Sequence, residues 1–254
     1  MILKQCMFIG CGISVNITIV KEYDKFKDLI ISRKRKKYKF ANFDDYKNCF
    51  SHRREDDGVE THQRVFDYLS HGEDQEKPVV LEIAAGNAQF SLQMARKYPD
   101  THFIAIDIKS DRLYTSAKAA LEEGVENIAF LRTHLNELGN IFKSNSIETI
   151  WLTFPDPYPK KRSAKHRLTH VSFLRQYRNI LNETSELKFK TDNLDLFLWS
   201  LEQLVNDRWH FLELSFDLHD SNLKDDYKIT TYYEQRYVAR GEKIKYVTAK
   251  PVEA

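Results

Sequence analysis

Cysteine is scarce in this chain. The 254 residues hold three, Cys6, Cys11 and Cys49, all within the first fifth. An odd number without metal-ligand spacing leaves no disulfide framework and predicts reduced thiols in a cytoplasmic protein. An excess of one charge is missing too. Thirty-nine Lys and Arg against 37 Asp and Glu give a formal net charge of +2, so any nucleic-acid footprint must come from local clustering. There is no convincing membrane-length apolar run. Residues 1–20 are apolar with Lys4 near the front, but Ser14, Asn16 and Thr18 interrupt them and no small-x-small cleavage site follows. Neither an export signal nor a membrane helix is expected there; an added strand and an over-extended start are both open readings. The G-x-G-x-x-G pattern of a dinucleotide enzyme is absent as well.

With 42% hydrophobic and 13% aromatic residues, the chain can bury one full core with an appended arm. The expected division is an amino-terminal extension over 1–77, partly disordered, and a single domain over 78–254. Within the extension, Arg33-Lys-Arg-Lys-Lys-Tyr-Lys39 is the densest basic run. It reads either as a solvated tail or as a mobile arm that neutralises phosphates; a nuclear-localisation reading is also open, since such runs look alike. Residues 40–77 are polar and mixed in charge, with a helix expected over Glu60–Leu69.

From Pro78 onward, apolar runs alternate with helical patterns. This predicts an α/β fold, a doubly wound, Rossmann-like, seven-stranded mixed sheet with helices on both faces. Five strands are expected at Val79–Ala84, Thr101–Ile108, Asn127–Arg132, Ile147–Phe154 and Glu186–Lys190. Helices are expected at Ala88–Lys97, Asp111–Glu123 and His170–Leu181, with Ser110 as N-cap and Gly124 as the C-terminal stop of the second. Asp192-Asn193 opens a further helix, and Arg208–Leu218 and Lys243–Lys250 read as closing strands antiparallel to each other.

In such a fold the ligand lies beyond the carboxyl ends of the strands, at the switch point. Three stretches fall there. Glu82-Ile-Ala84-Ala-Gly86-Asn-Ala88 is a strand-to-helix turn that resembles the acidic, glycine-rich first motif, E-x-G-x-G-x-G, of S-adenosylmethionine-dependent methyltransferases. Only Gly86 stands in a glycine place, with Ala84 and Ala88 in the others. Asp107 ends the second strand, where an adenosine ribose finds its hydroxyl acceptor; decoration of the next helix is the alternative. The third stretch is Thr153-Phe-Pro-Asp-Pro-Tyr-Pro-Lys-Lys-Arg. Three of the chain's six prolines fall in five positions here, stopping the strand and stiffening a loop that presents Asp156 and Tyr158. Lys160, Lys161, Arg162, Lys165 and Arg167 follow, a cluster suited to phosphates.

On these residues the chain resembles the bacterial-type tRNA (guanine-N7)-methyltransferases from about Val79 to Lys250. The most specific element is F-P-D-P-[WYH]-x-K-x-R-H-x-x-R, matched by Phe154, Pro155, Asp156, Pro157, Tyr158, Lys160 and Arg167. Phe189-Lys-Thr-Asp192-Asn193, Phe216-Asp-Leu-His219 and Thr231-Tyr-Tyr-Glu234 match further elements in the same order. The resemblance implies S-adenosyl-L-methionine as cofactor, contacted by Glu82, Gly86, Asp107, Asp156 and the residue at 134. That residue is His134 here rather than the usual Asp, with Asn136 nearby as a substitute polar group. It implies that Asp156 is the catalytic residue, between cofactor and base, and that Lys160, Asp192, Thr231, Tyr233 and Glu234 face the RNA. The implied reaction is methyl transfer to N7 of a guanosine in tRNA, in the variable loop, with no membrane partner. Oligomeric state is not readable.

The chemistry suits these residues. Guanine N7 carries an in-plane lone pair and no proton, so attack on a sulfonium methyl needs alignment more than a base. Asp156 could accept from the N1–H and N2–H₂ edge of guanine. Tyr158 could stack on a splayed base or plug the loop. Two rival readings are an exocyclic-amine methyltransferase, since Asp156-Pro-Tyr is similar to a D-P-P-Y loop, and a non-catalytic RNA-binding protein of the same fold. His166 and His170 share i, i+4 spacing, but without a clear third ligand a helix-start or phosphate-facing role is expected in place of a metal.

Overall fold

The computed structural model describes residues 43–72 and 77–252, apart from the side chains of Glu183, Tyr232 and Tyr233. The apolar stretch 1–20, Cys6, Cys11 and the basic run 33–39 lie outside the described residues.

The strands are β1 (Cys49–Ser51), β2 (Val79–Ile83), β3 (His102–Asp107), β4 (Ile128–Arg132), β5 (Ile147–Thr153), β6 (Leu181–Thr191), β7 (Trp209–Ser215) and β8 (Lys245–Pro251). Among the described residues they form one eight-stranded sheet in the order β1-β4-β3-β2-β5-β6-β8-β7. All pairings are parallel except those of β8, which runs antiparallel to both β6 and β7. The mixed, doubly wound sheet expected from the sequence is therefore present with one strand more than the expected seven. The extra strand is β1, which pairs with β4 through Cys49, Phe50 and Ser51. Three residues are too few to display a period of two, so the run had no signature.

Alternation along each strand sends side chains to two cores. Leu81, Ile83, Ile104, Ile106, Ile150 and Leu152 face one, which is covered by α1 (Gly58–Ser70), α5 (Val171–Ile180) and α6 (Leu194–Asn206). Phe103, Ala105, Phe130 and Trp151 face the other, covered by α2 (Gln89–Lys97) and α3 (Ser110–Glu123). Each fully buried Leu, Ile or Phe is worth about 1.5–3 kcal/mol, and the two faces together make the sheet the rigid base of the molecule. Two short helices, α4 (Leu138–Ile141) and α7 (Tyr232–Val238), complete the chain.

The strand order reverses at β2: the chain runs outward through β3 and β4, then returns to β5 on the other side. The crevice beyond the carboxyl ends of β2 and β5 is the place such a sheet offers a ligand. Helix boundaries follow local chemistry. Gly124 closes α3 in a left-handed conformation at φ 70°, as expected. Ser110 is not the N-cap; Lys109 holds that position, because the Asp107 carboxylate already accepts the Lys109 N–H at 2.8 Å. Asn193 caps α6, its side chain accepting the Leu196 N–H at 2.8 Å.

Gly58 begins α1 against α4, and a Cβ there would overlap the backbone carbonyl of Asn140. Gly58→Ala is expected to destabilise the fold by about 1–3 kcal/mol through overpacking. A urea unfolding midpoint equal to that of the wild type would contradict this packing.

Candidate active site

The turn after β2 carries three left-handed residues in five positions: Ala84 at φ 55°, Gly86 at 58° and Ala88 at 53°. Glycine adopts this region freely; alanine costs roughly 1–2 kcal/mol there. The turn is held from both sides. Ala85 N–H donates to the Ile106 carbonyl at 2.9 Å, Gly86 N–H to Asp107 Oδ2 at 2.9 Å, and Ala88 N–H to the Ala85 carbonyl at 2.8 Å. A Cβ added at Gly86 would meet nothing within 4 Å, so the backbone here borders open space.

Glu82 lies beneath this turn. It is 2% exposed, and its carboxylate accepts the Ser91 N–H at 3.1 Å, the Ser91 hydroxyl at 2.6 Å and the Thr153 hydroxyl at 2.5 Å. Burial raises its pKa, opposed by those hydrogen bonds and by the charge of Lys190. The carboxylate thus ties α2 to the ends of β2 and β5 and faces the interior.

Asp107 sits across the turn. Its Oδ2 accepts Gly86 N–H and its Oδ1 accepts Lys109 N–H, so the strand-tip acid shapes both the cofactor-type turn and the start of α3. Burial pushes its carboxyl above the usual range, again opposed by these donors. The next residue, Ile108, is an apolar side chain left 55% exposed. Sequence reasoning passed over it; the signal was an apolar residue directly after the strand-tip acid. His134 and Asn136 are both exposed at the end of β4, the Asn136 N–H donating to His134 Nδ1 at 3.3 Å. Thr133, just before them, donates its N–H to the Asp107 carbonyl, which keeps this group beside the same crevice.

The proline-rich loop leaves β5 with Asp156 exposed between two more left-handed residues, Phe154 at φ 50° and Tyr158 at 42°. Bulky side chains in this region are strained and persist only where the surroundings over-determine them. Phe154 N–H donates to the Lys190 carbonyl at 2.9 Å, and its ring lies 5.8 Å from that of Tyr237 in α7. At the other end Arg167 donates through Nε to the Pro157 carbonyl at 3.1 Å and through Nη2 to the Tyr158 carbonyl at 3.1 Å. Its guanidinium rests 4.5 Å over the ring of Trp199 in α6. Arg167, grouped by sequence with the phosphate-seeking cations, is instead a brace for the loop. Lys160, Lys161, Arg162 and Lys165 remain exposed, and Tyr158 leans toward His166 with ring centroids 5.7 Å apart. His170 caps α5, accepting the Ser172 N–H.

The carboxyl-terminal motifs converge on the same crevice, with one reversal. Asp192, half-buried at the tip of β6, has its pKa raised by burial. Thr231 and Glu234 form a reciprocal capping box at the start of α7. Glu234 is fully buried, paired with Lys190 Nζ at 2.8 Å and with His219 Nε2 at 3.0 Å. It points inward, not toward an RNA surface, because a buried lysine needs its charge. The S/T-x-x-E spacing of a capping box was the overlooked signal. The side chain of Tyr233 lies outside the described residues. Gln93 of α2 reaches the Thr230 carbonyl at 3.3 Å, so this segment sits beside the Glu82–Ala88 turn.

Comparison with known proteins agrees with this layout. Residues 76–247 match a family model described as "Putative methyltransferase". The chain is 38% identical over 175 residues to a tRNA (guanine-N(7)-)-methyltransferase of Christiangramia forsetii, covering 68% of this chain and 78% of that one. A tRNA (guanine-N(7)-)-methyltransferase of Brevibacillus brevis is 38% identical over 175 residues, covering 69% and 81%. Among solved structures, a 30S ribosomal A1408 methyltransferase from an uncultured bacterium is similar at a TM-score of 0.56, with 12% identity, over 75% of this chain and 94% of that one; this bears on the fold alone.

The turn's strain is measurable. Ala84→Gly relieves a left-handed alanine and adds freedom to the unfolded chain, a net stabilisation of roughly 0.5 kcal/mol. A lower urea midpoint in Ala84→Gly would contradict the left-handed conformation at this position.

Proposed function

The chain belongs to the tRNA (guanine-N(7)-)-methyltransferase family, and on that premise we propose that its switch-point crevice transfers a methyl group from S-adenosyl-L-methionine to N7 of a guanine in tRNA. The observation that carries the assignment to these residues is the loop at 154–159: a carboxylate, Asp156, on a strained and doubly braced segment at the mouth of the crevice.

The residues present fit this cofactor. The left-handed turn survives at Ala84 and Ala88 without glycine, and it borders open space above Gly86. Asp107 keeps an unused lone pair on each oxygen for ribose hydroxyls, beside an exposed Ile108 on which a purine ring can rest. His134 and Asn136 add exposed polar atoms from β4. Glu82 supports the turn from below. When bound, S-adenosyl-L-methionine supplies a sulfonium methyl, an electrophile that guanine N7 attacks through its in-plane lone pair.

No base is required for that attack, so the protein's task is alignment and charge management. Asp156 accepts from the N1–H and N2–H₂ edge of guanine, turns N7 inward and offsets the positive charge developing on the ring. Tyr158 offers its ring to the splayed base. Lys160, Lys161, Arg162 and Lys165 hold phosphates, and the basic run at 33–39 carries further charge of the kind that suits the same polyanion. Asp192 borders the nucleotide, and Tyr233 is carried on the helix that Thr231, itself buried, caps. No helix of the described residues is long and apolar enough to cross a membrane. A cytoplasmic setting fits a tRNA substrate and the buried free thiol of Cys49.

Asp156→Ala is expected to lower methyl transfer at least 100-fold with an unchanged unfolding midpoint, as for loss of a preorganised transition-state partner. Transfer within threefold of wild type, measured with labelled cofactor, would remove Asp156 from the mechanism.

The raised pKa of Asp107 gives a second test. As pH falls through that raised value the carboxylate takes a proton and loses its charge, so cofactor affinity falls at a higher pH than an ordinary aspartate would set. Folding stability has the opposite sign: the folded state holds this proton more tightly, so its contribution is present at low pH and lost as pH rises through the raised value. Asp107→Asn should bind the cofactor more weakly and without this pH dependence. An acid limb of the same position in both proteins, by calorimetry, would refute the role.

A further inference from the structure

Lys190 is a fully buried cation within β6, and no substrate or cofactor role falls to it. Its three ammonium protons are all engaged, by the Tyr227 carbonyl at 3.2 Å, the Ile229 carbonyl at 2.8 Å and Glu234 Oε2 at 2.8 Å. Above it lie two rings, Phe90 of the first turn of α2 at 4.9 Å and Phe154 of the Asp156 loop at 5.6 Å. Its own carbonyl receives the Phe154 N–H. One residue therefore touches the helix behind the cofactor turn, the first residue of the catalytic loop and the cap of α7.

Stability is a poor reason for a charge at this position. Removing an ammonium from water is costly, and a methionine of similar length would fill the space without that penalty. What a methionine would not do is bind two carbonyls and a carboxylate at once. Phe154 needs a firm seat, since its left-handed backbone is strained, and Asp156 follows two residues later.

We propose that Lys190 is a positioning residue for methyl transfer, which fixes the Asp156 loop against α2 and the capped start of α7. The proposal rests on the functional reading above and extends it to a residue outside the crevice. Because it acts on alignment, its loss lowers kcat and leaves the binding of both substrates largely intact.

The test compares wild type with Lys190→Met and with the double variant Lys190→Met/Glu234→Met, which removes both buried charges and so avoids stranding a carboxylate. Unfolding midpoints are measured first, and kinetics are run well below them. The expected result is a folded double variant with KM for tRNA and for S-adenosyl-L-methionine within threefold of wild type and kcat about 100-fold lower, the scale of a misplaced reacting group. A folded double variant with kcat within threefold of wild type overturns the proposal. If neither lysine variant folds, Glu234→Gln decides: a tenfold fall in kcat at unchanged KM supports positioning through this pair, and unchanged kcat overturns it. A wild type that transfers no methyl to tRNA defeats the functional reading itself, and this proposal with it.

Discussion

A carboxylate buried at the end of the central strand constrains everything around the crevice. Glu82 must find hydrogen-bond donors, because an unpaired buried carboxylate is far too costly to keep. It finds them in the Ser91 backbone and hydroxyl and in the Thr153 hydroxyl. Those bonds fix the first turn of α2, whose N-cap residue, Ala88, has no capping side chain, and they fix the end of β5, from which the Asp156 loop departs. The cofactor turn and the substrate loop are thus set relative to each other by a single side chain that neither ligand need touch.

The site that results is built for alignment. Four non-glycine residues along its edges, Ala84, Ala88, Phe154 and Tyr158, are left-handed, each at some energetic cost. Arg167 and Trp199 brace the loop from one side while Phe154 rests on Lys190 and Tyr237 from the other. A nucleophile that needs no deprotonation places its demands on geometry, and a stiff loop meets them. The alanines in the turn do not abolish its shape; Ala85 N–H and Gly86 N–H, bonded to β3, impose it.

Much of this was legible in the sequence. Long apolar runs between helical periods located the parallel strands to within a few residues except for β6, expected at Glu186–Lys190 but starting at Leu181 across the polar stretch Asn182-Glu-Thr-Ser185, and the helix expected over Glu60–Leu69 is α1. Asp107 could be located because an acid that ends an apolar run one strand-helix step after Glu82 falls at a strand tip. The misses have physical causes. β1 is three residues long and shows no period. Cations look alike in a sequence, so Arg167 was grouped with phosphate binders although its guanidinium turns back onto its own loop. Glu234 was expected to face the RNA; its T-x-x-E spacing marks a capping box, but nothing in that spacing reveals its partner 44 positions away at Lys190. The bulk of the helices and sheet was readable because it rests on periodicity; the inward turn of Glu82, Arg167 and Glu234 was not, because it rests on tertiary pairing.

The central claim is the identity of the methylated atom. Purified protein incubated with methyl-labelled S-adenosyl-L-methionine and total tRNA, followed by chemical cleavage at N7-methylguanosine, reads that atom directly. The account predicts label in tRNA and new strand breaks at a guanosine, both absent without the protein. Label in tRNA with no such breaks would instead place the methyl on another atom, such as an exocyclic amine, and contradict it.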